Sequence, residues 1–341
     1  MSETSSDTKK LEEYSLYEVI SELRARERNA PKRQTGARKG MGFGSAKSIT
    51  SRRKGIGSFS TRQLIDFAKS KRKVIYGPDD RKDYYDLSLE QKKECDSVVS
   101  LFNSSDIAED GNGQSRLQTM SFGDAQNLCN EEVFRDQPIG AFCSGFLVGP
   151  DIIATAGHCV DENNVRDVCF VFGFRMEDQN TPKTTIDNSE IYRGKEIIGR
   201  KLTDEGTDWC LVKIDRHVKD HTPFNIQRGG KIEDSQKVHV IGHPCGLPLK
   251  YAGGAWVRNN LDDAYFVANL DTYGGNSGSC VVNDDTGEVE GILVRGDADF
   301  VSTEEGCNVS NVCPTTGCRG EDCTRVSEFT NLVPELTDSS A

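Results

Sequence analysis

A serine, a histidine and an aspartate stand in sequence settings that suit acyl transfer. Ser277 lies in the glycine-rich segment 274–279, and glycines on both sides permit a tight turn that a substrate can approach closely. Acyl transfer needs such a hydroxyl, together with backbone N–H groups directed at the carbonyl oxygen. His158 ends an apolar run among small residues, and Asp208 enters another apolar run. Each pattern alone has an ordinary structural explanation, but their occurrence in one chain, in this order, favours a catalytic site.

The elements that must position these residues are predicted to be strands. From Val74 onward, short apolar runs are bounded by Gly, Asp and Asn, a pattern that favours many strands over long helices. The predicted strands are 146–148, 152–154, 168–172, 210–214, 238–241, 265–268, 280–282 and 291–294. The pattern therefore predicts an all-β barrel or sandwich.

Charge divides the chain near residue 73. Residues 1–73 carry 18 Lys and Arg against 8 Asp and Glu, whereas the whole chain has 42 against 54 and a net charge of −12. We expect residues 1–73 to be a basic, partly helical or disordered N-terminal extension or pro-segment. A large acidic domain over 74–335 and a short tail over 336–341 follow it.

Within the basic segment, apolar residues at three-residue spacing predict an amphipathic helix over 8–30. A Gly, Ser, Lys and Arg-rich stretch over 36–60 is interpreted as a linker, and a short helix is expected after Ser60.

No apolar stretch of membrane-spanning length and no secretory signal pattern is visible, so membrane association is not expected. All 12 cysteines lie at Cys95 or later, and an even count at this density hints at an oxidising compartment. These two observations point in opposite directions, and the compartment stays open.

The residues resemble a known family. Segments 156–159 and 275–279, with Asp208, resemble the triad segments of trypsin-like serine peptidases of the chymotrypsin superfamily. The form of 274–279 and the segment 74–81 are similar to the bacterial glutamyl endopeptidases. The resemblance covers roughly 74–329, and it implies two packed six-stranded antiparallel β-barrels with the site in the cleft between them.

The resemblance also implies roles for the site residues. His158 is the general base, Asp208 orients its ring, Ser277 is the nucleophile, and the N–H groups of Gly275 and Ser277 form the oxyanion hole. Protein or peptide substrates are implied, and neither a metal nor an organic cofactor is required.

Three further residues are expected to bind substrate: Asp271, Thr272 and Gly296. Asp271 lies six residues before Ser277, which in trypsin-like enzymes matches the floor of the primary pocket, and a carboxylate there favours Arg or Lys before the scissile bond. The alternative is that Asp271 points away or is neutralised by Arg295. Leu293 stands where glutamyl enzymes carry a pocket histidine, which argues against recognition of glutamate.

Two more features depend on the family pattern. Asn276 replaces the aspartate that pairs with a new N-terminus in animal zymogens, so that switch is not expected. Cys143 and Cys159 match the disulfide that clamps the histidine loop.

The remaining cysteines are assigned from their spacing alone. Two local disulfides are favoured over a zinc site or free thiols for the cluster Cys307, Cys313, Cys318 and Cys323. Cys169 and Cys210, inside apolar runs, are expected to be buried free thiols.

Two other functions stay open on the sequence. One is a catalytically silent member of the fold that binds a partner. The other is a nucleic-acid binder acting through the basic segment, which is disfavoured because that segment lacks an aromatic platform among its Gly-rich basic residues. The basic segment is also a candidate intramolecular regulator of the acidic domain.

Overall fold

The computed structural model describes residues 22, 26, 55–61, 63, 75–203, 206–296 and 299–336. The chain divides into two compact units, Met1–Ala68 and Lys69–Ala341. In the first unit Glu22 and Arg26 are helical and form an ion pair of 2.6 Å. The rest of the helix predicted over 8–30, and most of the predicted linker, lie outside the described residues.

The expected short helix does begin after Ser60. Thr61 and Gln63 are helical, and Ser60 caps them, because its hydroxyl accepts from Gln63 N at 3.1 Å while Gln63 Oε1 accepts from Ser60 N at 2.9 Å. Its predicted apolar side, Leu64, Ile65 and Phe67, lies outside the described residues.

The second unit consists mainly of strands. They are β1 Ile75–Tyr76, β2 Arg81–Asp83, β3 Val98–Asn103, β4 Ile107–Glu109, β5 Gln114–Leu117, β6 Met120–Ser121, β7 Pro138–Ile139, β8 Cys143–Gly149, β9 Ile152–Thr155, β10 Val168–Phe172, β11 Met176–Asp178, β12 Thr181–Pro182, β13 Thr185–Asp187, β14 Ile191–Leu202, β15 Asp208–Ile214, β16 Lys237–Gly242, β17 Lys250–Asn259, β18 Tyr265–Ala268, β19 Cys280–Asn283, β20 Val289–Arg295, β21 Phe300–Ser302, β22 Asn308–Ser310, β23 Val312–Cys313 and β24 Glu321–Arg325. The α-helices among the described residues of this unit are α1 Leu89–Cys95 and α2 Phe122–Gln126, and six short 3₁₀ helices accompany them. Each of the eight predicted strands lies inside an observed strand, so those predictions are confirmed.

The first barrel closes six antiparallel strands in the order β10, β14, β15, β9, β8, β3. Closure leaves no unpaired sheet edge. Strands β3, β8 and β10 are buried along their whole length. Because both faces of these strands are covered, their sequences read as continuous apolar runs.

The second barrel has the strand order β16, β19, β20, β24, β18, β17. It closes because β17 also pairs with β16, and β2 pairs with β17 as a seventh strand. Strand β17 alternates buried and more exposed residues, as the two-residue period of a strand requires. The fold class predicted from the resemblance, two six-stranded antiparallel barrels, is therefore confirmed. In the described part of the chain no helix is long and apolar enough to cross a membrane.

Three disulfides join Cys143 to Cys159, Cys129 to Cys307, and Cys313 to Cys318. The first confirms the pair expected at the histidine loop. The predicted pairing within the cluster 307–323 is only half right, because Cys307 pairs with a cysteine 178 residues away and Cys323 is in no disulfide. The zinc alternative is wrong, because three of its four sulfurs are used in disulfides. Cys169 and Cys210 are buried free thiols, as expected.

A buried histidine joins α1 to the second barrel. His239 on β16 lies between two carboxylates, with Nδ1 2.8 Å from Asp284 and Nε2 3.1 Å from Glu94. Burial alone would lower the pKa of His239, but the two carboxylates outweigh it and the pKa is raised above 6.5. The protonated ring therefore fastens α1 against the barrel.

We expect the stability of this contact to depend on pH. A histidine whose folded pKa is raised stabilises the fold below its unfolded pKa of about 6.5, and this contribution is lost as pH rises through the folded pKa. His239→Gln should therefore lower the free energy of unfolding at pH 6 by about 1.5–3 kcal/mol, the usual worth of a hydrogen bond to a charged group, and by less at pH 9. Urea denaturation at both values measures this difference. His217→Gln is the matched control, because His217 is 72% exposed beside Asp151. An equal loss at both pH values would contradict the account.

Candidate active site

Strand register brings His158 and Asp208 together. Strands β9 and β15 are antiparallel, with Thr155 opposite Cys210, so the residues after β9 meet the start of β15. His158 Nδ1 lies 2.6 Å from Asp208 Oδ2, and the His158 main-chain N–H donates to Oδ1 at 3.1 Å. Asp208 is fully buried. Its two oxygens therefore fix both the backbone and the ring of His158.

Gly157 is required for this approach. A Cβ at Gly157 would lie 2.9 Å from the carbonyl oxygens of Lys201 and Trp209, and 3.2 Å from Asp208 Oδ1. Most of these atoms are rigid backbone that cannot yield. Only glycine therefore lets the histidine loop close on β14 and β15.

Ser277 lies on a tight turn between β18 and β19. Gly275 and Gly278 have φ values of +94° and +92°, in the left-handed region that favours glycine. A Cβ at Gly278 would overlap the carbonyl oxygen of Ser144. The Ser277 hydroxyl donates to the carbonyl of Val294 at 3.4 Å. The glycines recognised in the sequence are thus required by backbone conformation and by close packing.

Of four consecutive main-chain N–H groups in the turn, two have acceptors and two do not. Asn276 N donates to Tyr273 O at 3.1 Å and Gly278 N donates to Leu293 O at 2.8 Å. Within the described residues, by contrast, the N–H groups of Gly275 and Ser277 have no hydrogen-bond acceptor. Both N–H groups are therefore uncommitted donors within the described part of the chain.

The disulfide between Cys143 and Cys159 lies next to both His158 and Ser277. Cys159 Sγ is 3.7 Å from the Ser277 carbonyl oxygen, and it lies within 4.8 Å of a ring nitrogen of His158. His158 and the two cysteines form the one group of possible metal ligands found in the described residues. Because both sulfurs are in the disulfide, they are not thiolate ligands.

Ser144 is a site residue that the sequence analysis missed. It lies on β8 of the first barrel, yet its N–H donates to Ser277 O at 2.9 Å and its hydroxyl donates to Gly275 O at 3.1 Å. The same hydroxyl accepts from His243 N at 2.9 Å. Ser144 therefore holds the nucleophile turn of the second barrel against the first. Its only sequence signal is its position next to Cys143.

The three residues predicted to bind substrate have different surroundings: Thr272 and Gly296 lie against Glu321, and Asp271 does not. Thr272 donates its hydroxyl to Glu321 Oε2 at 3.3 Å, and a Cβ at Gly296 would overlap the Glu321 carboxylate. Asp271 instead accepts main-chain N–H groups from Tyr76 at 2.6 Å and Asp80 at 2.8 Å, one on each oxygen. Its carboxylate is thus directed at the segment 76–80.

Arg295 does not contact Asp271. Its guanidinium lies 3.2 Å from Asp322 and donates to Gly206 O at 2.6 Å.

Leu293 is fully buried on β20. Ser277 is 0% exposed and His158 is 2% exposed, so both residues are almost completely enclosed by the chain.

Residues 143–292 match the family model of the trypsin-like peptidase domain, and this span contains His158, Asp208 and Ser277. No curated protein matches the chain. Among solved structures, a Glu endopeptidase in complex with MPD is 14% identical with a TM-score of 0.44, and the match covers 76% of this chain and 97% of that one. The VesB protease of Vibrio cholerae is 15% identical with a TM-score of 0.45, over 76% and 66% of the two chains.

We predict that Ser144→Ala impairs Ser277 without removing any reacting group. The change takes a buried partner from Gly275 O and His243 N, which should cost about 1–3 kcal/mol of unfolding free energy. Because the turn then loses its fixed position, labelling of Ser277 by a fluorophosphonate should slow by up to about 100-fold.

Ser100→Ala is the matched control. Ser100 pairs with Ser144 in the β3–β8 ladder and is also fully buried, but its hydroxyl donates to Val171 O at 3.1 Å. It should lose similar stability and keep its labelling rate. Equal slowing in both variants would mean that Ser144 acts only through stability.

Proposed function

We propose that this chain, which carries a trypsin-like peptidase domain, is a serine endopeptidase that cleaves peptide bonds through an acyl-enzyme on Ser277. The observation that carries the proposal is the buried contact of 2.6 Å between His158 Nδ1 and Asp208, beside the glycine-bounded turn of Ser277. Its substrates are proteins or peptides.

The proton path follows from this contact. With Nδ1–H donating to Asp208, the neutral ring carries its lone pair on Nε2, which can accept the Ser277 proton as Oγ attacks the peptide carbonyl. The imidazolium then returns that proton to the amine nitrogen as the C–N bond breaks. Water, activated in the same way, hydrolyses the acyl-enzyme and restores Ser277. Asp208 stabilises the cation during both steps without taking its proton.

The oxyanion is assigned to the N–H groups of Gly275 and Ser277. Both N–H groups lack acceptors among the described residues. One belongs to Ser277 itself, and the other lies two residues before it. Loss of one such donor in other enzymes costs on the order of 10²–10³ in turnover. Their fixed direction supports this role, because a preformed donor need not reorganise as negative charge develops.

We also propose that the enzyme prefers Arg or Lys before the scissile bond. Asp271 lies six residues before Ser277, Asp299 accepts the Gly274 N–H at 3.1 Å, and Leu293 offers no positive group to a glutamate side chain. Residues 1–73 are proposed to be a removable pro-segment or regulatory arm. The basic run 69–73 precedes Val74, so an enzyme with this preference could cut its own chain there.

Labelling by a fluorophosphonate tests the proposed function directly. The wild-type chain should label at Ser277 and cleave a peptide library, because His158 activates the hydroxyl. Ser277→Ala should lose labelling and retain less than about a thousandth of the turnover. Mass spectrometry of the labelled peptide identifies the site, and circular dichroism checks folding. Folded wild-type protein that neither labels nor cleaves would instead indicate a catalytically silent, partner-binding protein.

Self-processing is tested by sequencing the N-terminus of incubated protein. A Val74 terminus should appear in the wild-type chain and not in Ser277→Ala, because the cut requires the active hydroxyl. Its appearance in both proteins, or in neither, would exclude self-cleavage at that bond.

The salt dependence of activity distinguishes a regulatory N-terminal arm from one without effect. Residues 1–73 and 74–341 carry net charges of opposite sign, and salt weakens their attraction by shortening the Debye length, about 10 Å at 0.1 M. Activity of the full chain before processing should therefore rise with salt, while that of a 74–341 fragment should not. A parallel response of both forms would argue for an arm without regulatory effect.

A further inference from the structure

We infer that Arg200 is a positioning residue for the general base, because its Nε–H binds carbonyl groups on both sides of His158 in the loop 156–160. The inference rests on the proposed endopeptidase function and deepens it by adding a residue that acts through His158. Arg200 lies near the end of β14. The sequence gives no sign of this role, because the two acceptors are 43 and 40 residues away.

The first observation is the hydrogen bonding of the Arg200 side chain. Its Nε donates to Gly157 O at 2.7 Å and to Val160 O at 2.9 Å. Within the described residues these are the only hydrogen bonds of this side chain. One N–H is thus shared between a carbonyl just before His158 and a carbonyl two residues after it, as in other three-centre hydrogen bonds. The shared bond ties both ends of the loop to one point.

The second observation is that the peptide group between Gly157 and His158 is held at both ends. Its carbonyl accepts from Arg200, and its N–H donates to Asp208 Oδ1 at 3.1 Å. A trans peptide group is planar, and its C=O and N–H point in opposite directions. Arg200 and Asp208 therefore fix one plane from opposite sides. The Cα of His158 lies in that plane, so the plane sets the point from which the ring extends.

The third observation is that no other donor replaces Arg200. Gly157 and Val160 are buried, and their carbonyl oxygens accept no other hydrogen bond from the described residues. Asn164 Nδ2 donates to the loop as well, but to Cys159 O, at 3.2 Å. Buried carbonyl groups are rarely left without a partner, and leaving one so is costly. The conformation of the loop therefore depends on the Arg200 side chain.

Strand order explains how a residue of β14 comes close to this loop. Strand β15 lies between β14 and β9, with Arg200 opposite Cys210 and Cys210 opposite Thr155. The loop follows Thr155 directly. The carbonyl oxygen of Lys201 lies 2.9 Å from where a Cβ at Gly157 would stand. The end of β14 is therefore in contact with the loop, within reach of the Arg200 side chain.

The consequence for catalysis concerns the base. The ring of His158 has to accept the proton of Ser277 at one nitrogen while the other nitrogen keeps its bond to Asp208. A misplacement of about 1 Å can cost on the order of 100-fold in rate. The hydrogen bonds of Arg200 reach no reacting atom, so Arg200 acts through the position of His158.

Two substitutions separate hydrogen bonding from charge and packing. Arg200→Gln places an amide nitrogen at the position of Nε, and Arg200→Met places a methyl group there, while both remove the positive charge. In the full chain, Arg200→Met should lower kcat for a peptide substrate by about 10–100-fold and leave KM within about threefold. Arg200→Gln should keep kcat within about threefold of the wild type, because it can still donate to the loop.

Equal losses of kcat in Arg200→Met and Arg200→Gln would overturn the inference, because charge or packing would then explain them. Circular dichroism checks that each variant folds. If Arg200→Met does not fold, Arg200→Gln decides alone, and a loss of more than about tenfold in the folded protein would overturn the inference.

Arg216→Met is the matched control. Arg216 lies in the same unit, and its Nη2 also donates to loop carbonyls, those of Asn188, Ser189 and Ile191, at 3.1, 2.8 and 2.9 Å. That loop carries none of the proposed site residues. Arg216→Met should therefore keep kcat. A loss as large as that of Arg200→Met would show that the effect is general, and it would overturn the inference.

Proton NMR gives a second readout that needs no turnover. The Nδ1 proton of His158, in a hydrogen bond of 2.6 Å to a carboxylate, should resonate far downfield, and His158→Gln identifies the signal by losing it. The signal should be sharp in the wild type and in Arg200→Gln, and lost to exchange with water in Arg200→Met.

The two readouts separate this inference from the proposed function. If the wild type labels with a fluorophosphonate but Arg200→Met keeps both kcat and the signal, this inference is overturned and the peptidase function stands. If the wild type does not label but Arg200→Met alone loses the signal, the positioning role stands and the function is overturned. Absence of labelling, with an unchanged signal in Arg200→Met, would overturn both.

Discussion

The hydrogen bond between His158 and Asp208 is the contact on which the site depends, because it decides which ring nitrogen carries the lone pair. The chain secures it with a carboxylate that is fully buried and held at both oxygens by His158. Asp208 N in turn donates to Thr324 Oγ1 at 3.1 Å, which ties this strand of the first barrel to β24 of the second. The ring orientation is therefore a property of both barrels.

The nucleophile turn depends on a second link between the barrels. Ser144 contacts the carbonyl oxygens of Gly275 and Ser277, while its own carbonyl accepts the Thr155 hydroxyl at 2.7 Å. Thr155 ends the strand that leads to His158. One buried serine thus connects the turn that carries the hydroxyl with the strand that carries the base. A shift between the barrels would therefore break the contacts of Ser144 and change the position of Ser277 relative to His158.

The sequence predicted those parts of the fold that have local signals. Apolar runs revealed eight barrel strands, and glycines around Ser277 revealed the turn. Strand β24 gave no such signal, because Glu321–Arg325 is polar and yet buried throughout. Its burial is possible only where distant groups satisfy its side chains, as Asp208 N does for Thr324. Ser144, Glu321 and the Cys129–Cys307 disulfide were unpredictable for the same reason: their partners lie far away in sequence.

Residues 76–81, just after the basic segment, contact the residues that lead into the turn of Ser277. Asp271 accepts N–H groups from Tyr76 and Asp80, and the buried Arg81 guanidinium lies 3.9 Å from the centroid of the Tyr273 ring. Asp271 and Tyr273 lead directly into the turn of Ser277. A break before Val74 would leave all of these contacts intact, because each is made by residue 76 or a later one. The proposed removal of residues 1–73 would therefore keep these contacts beside the turn of Ser277.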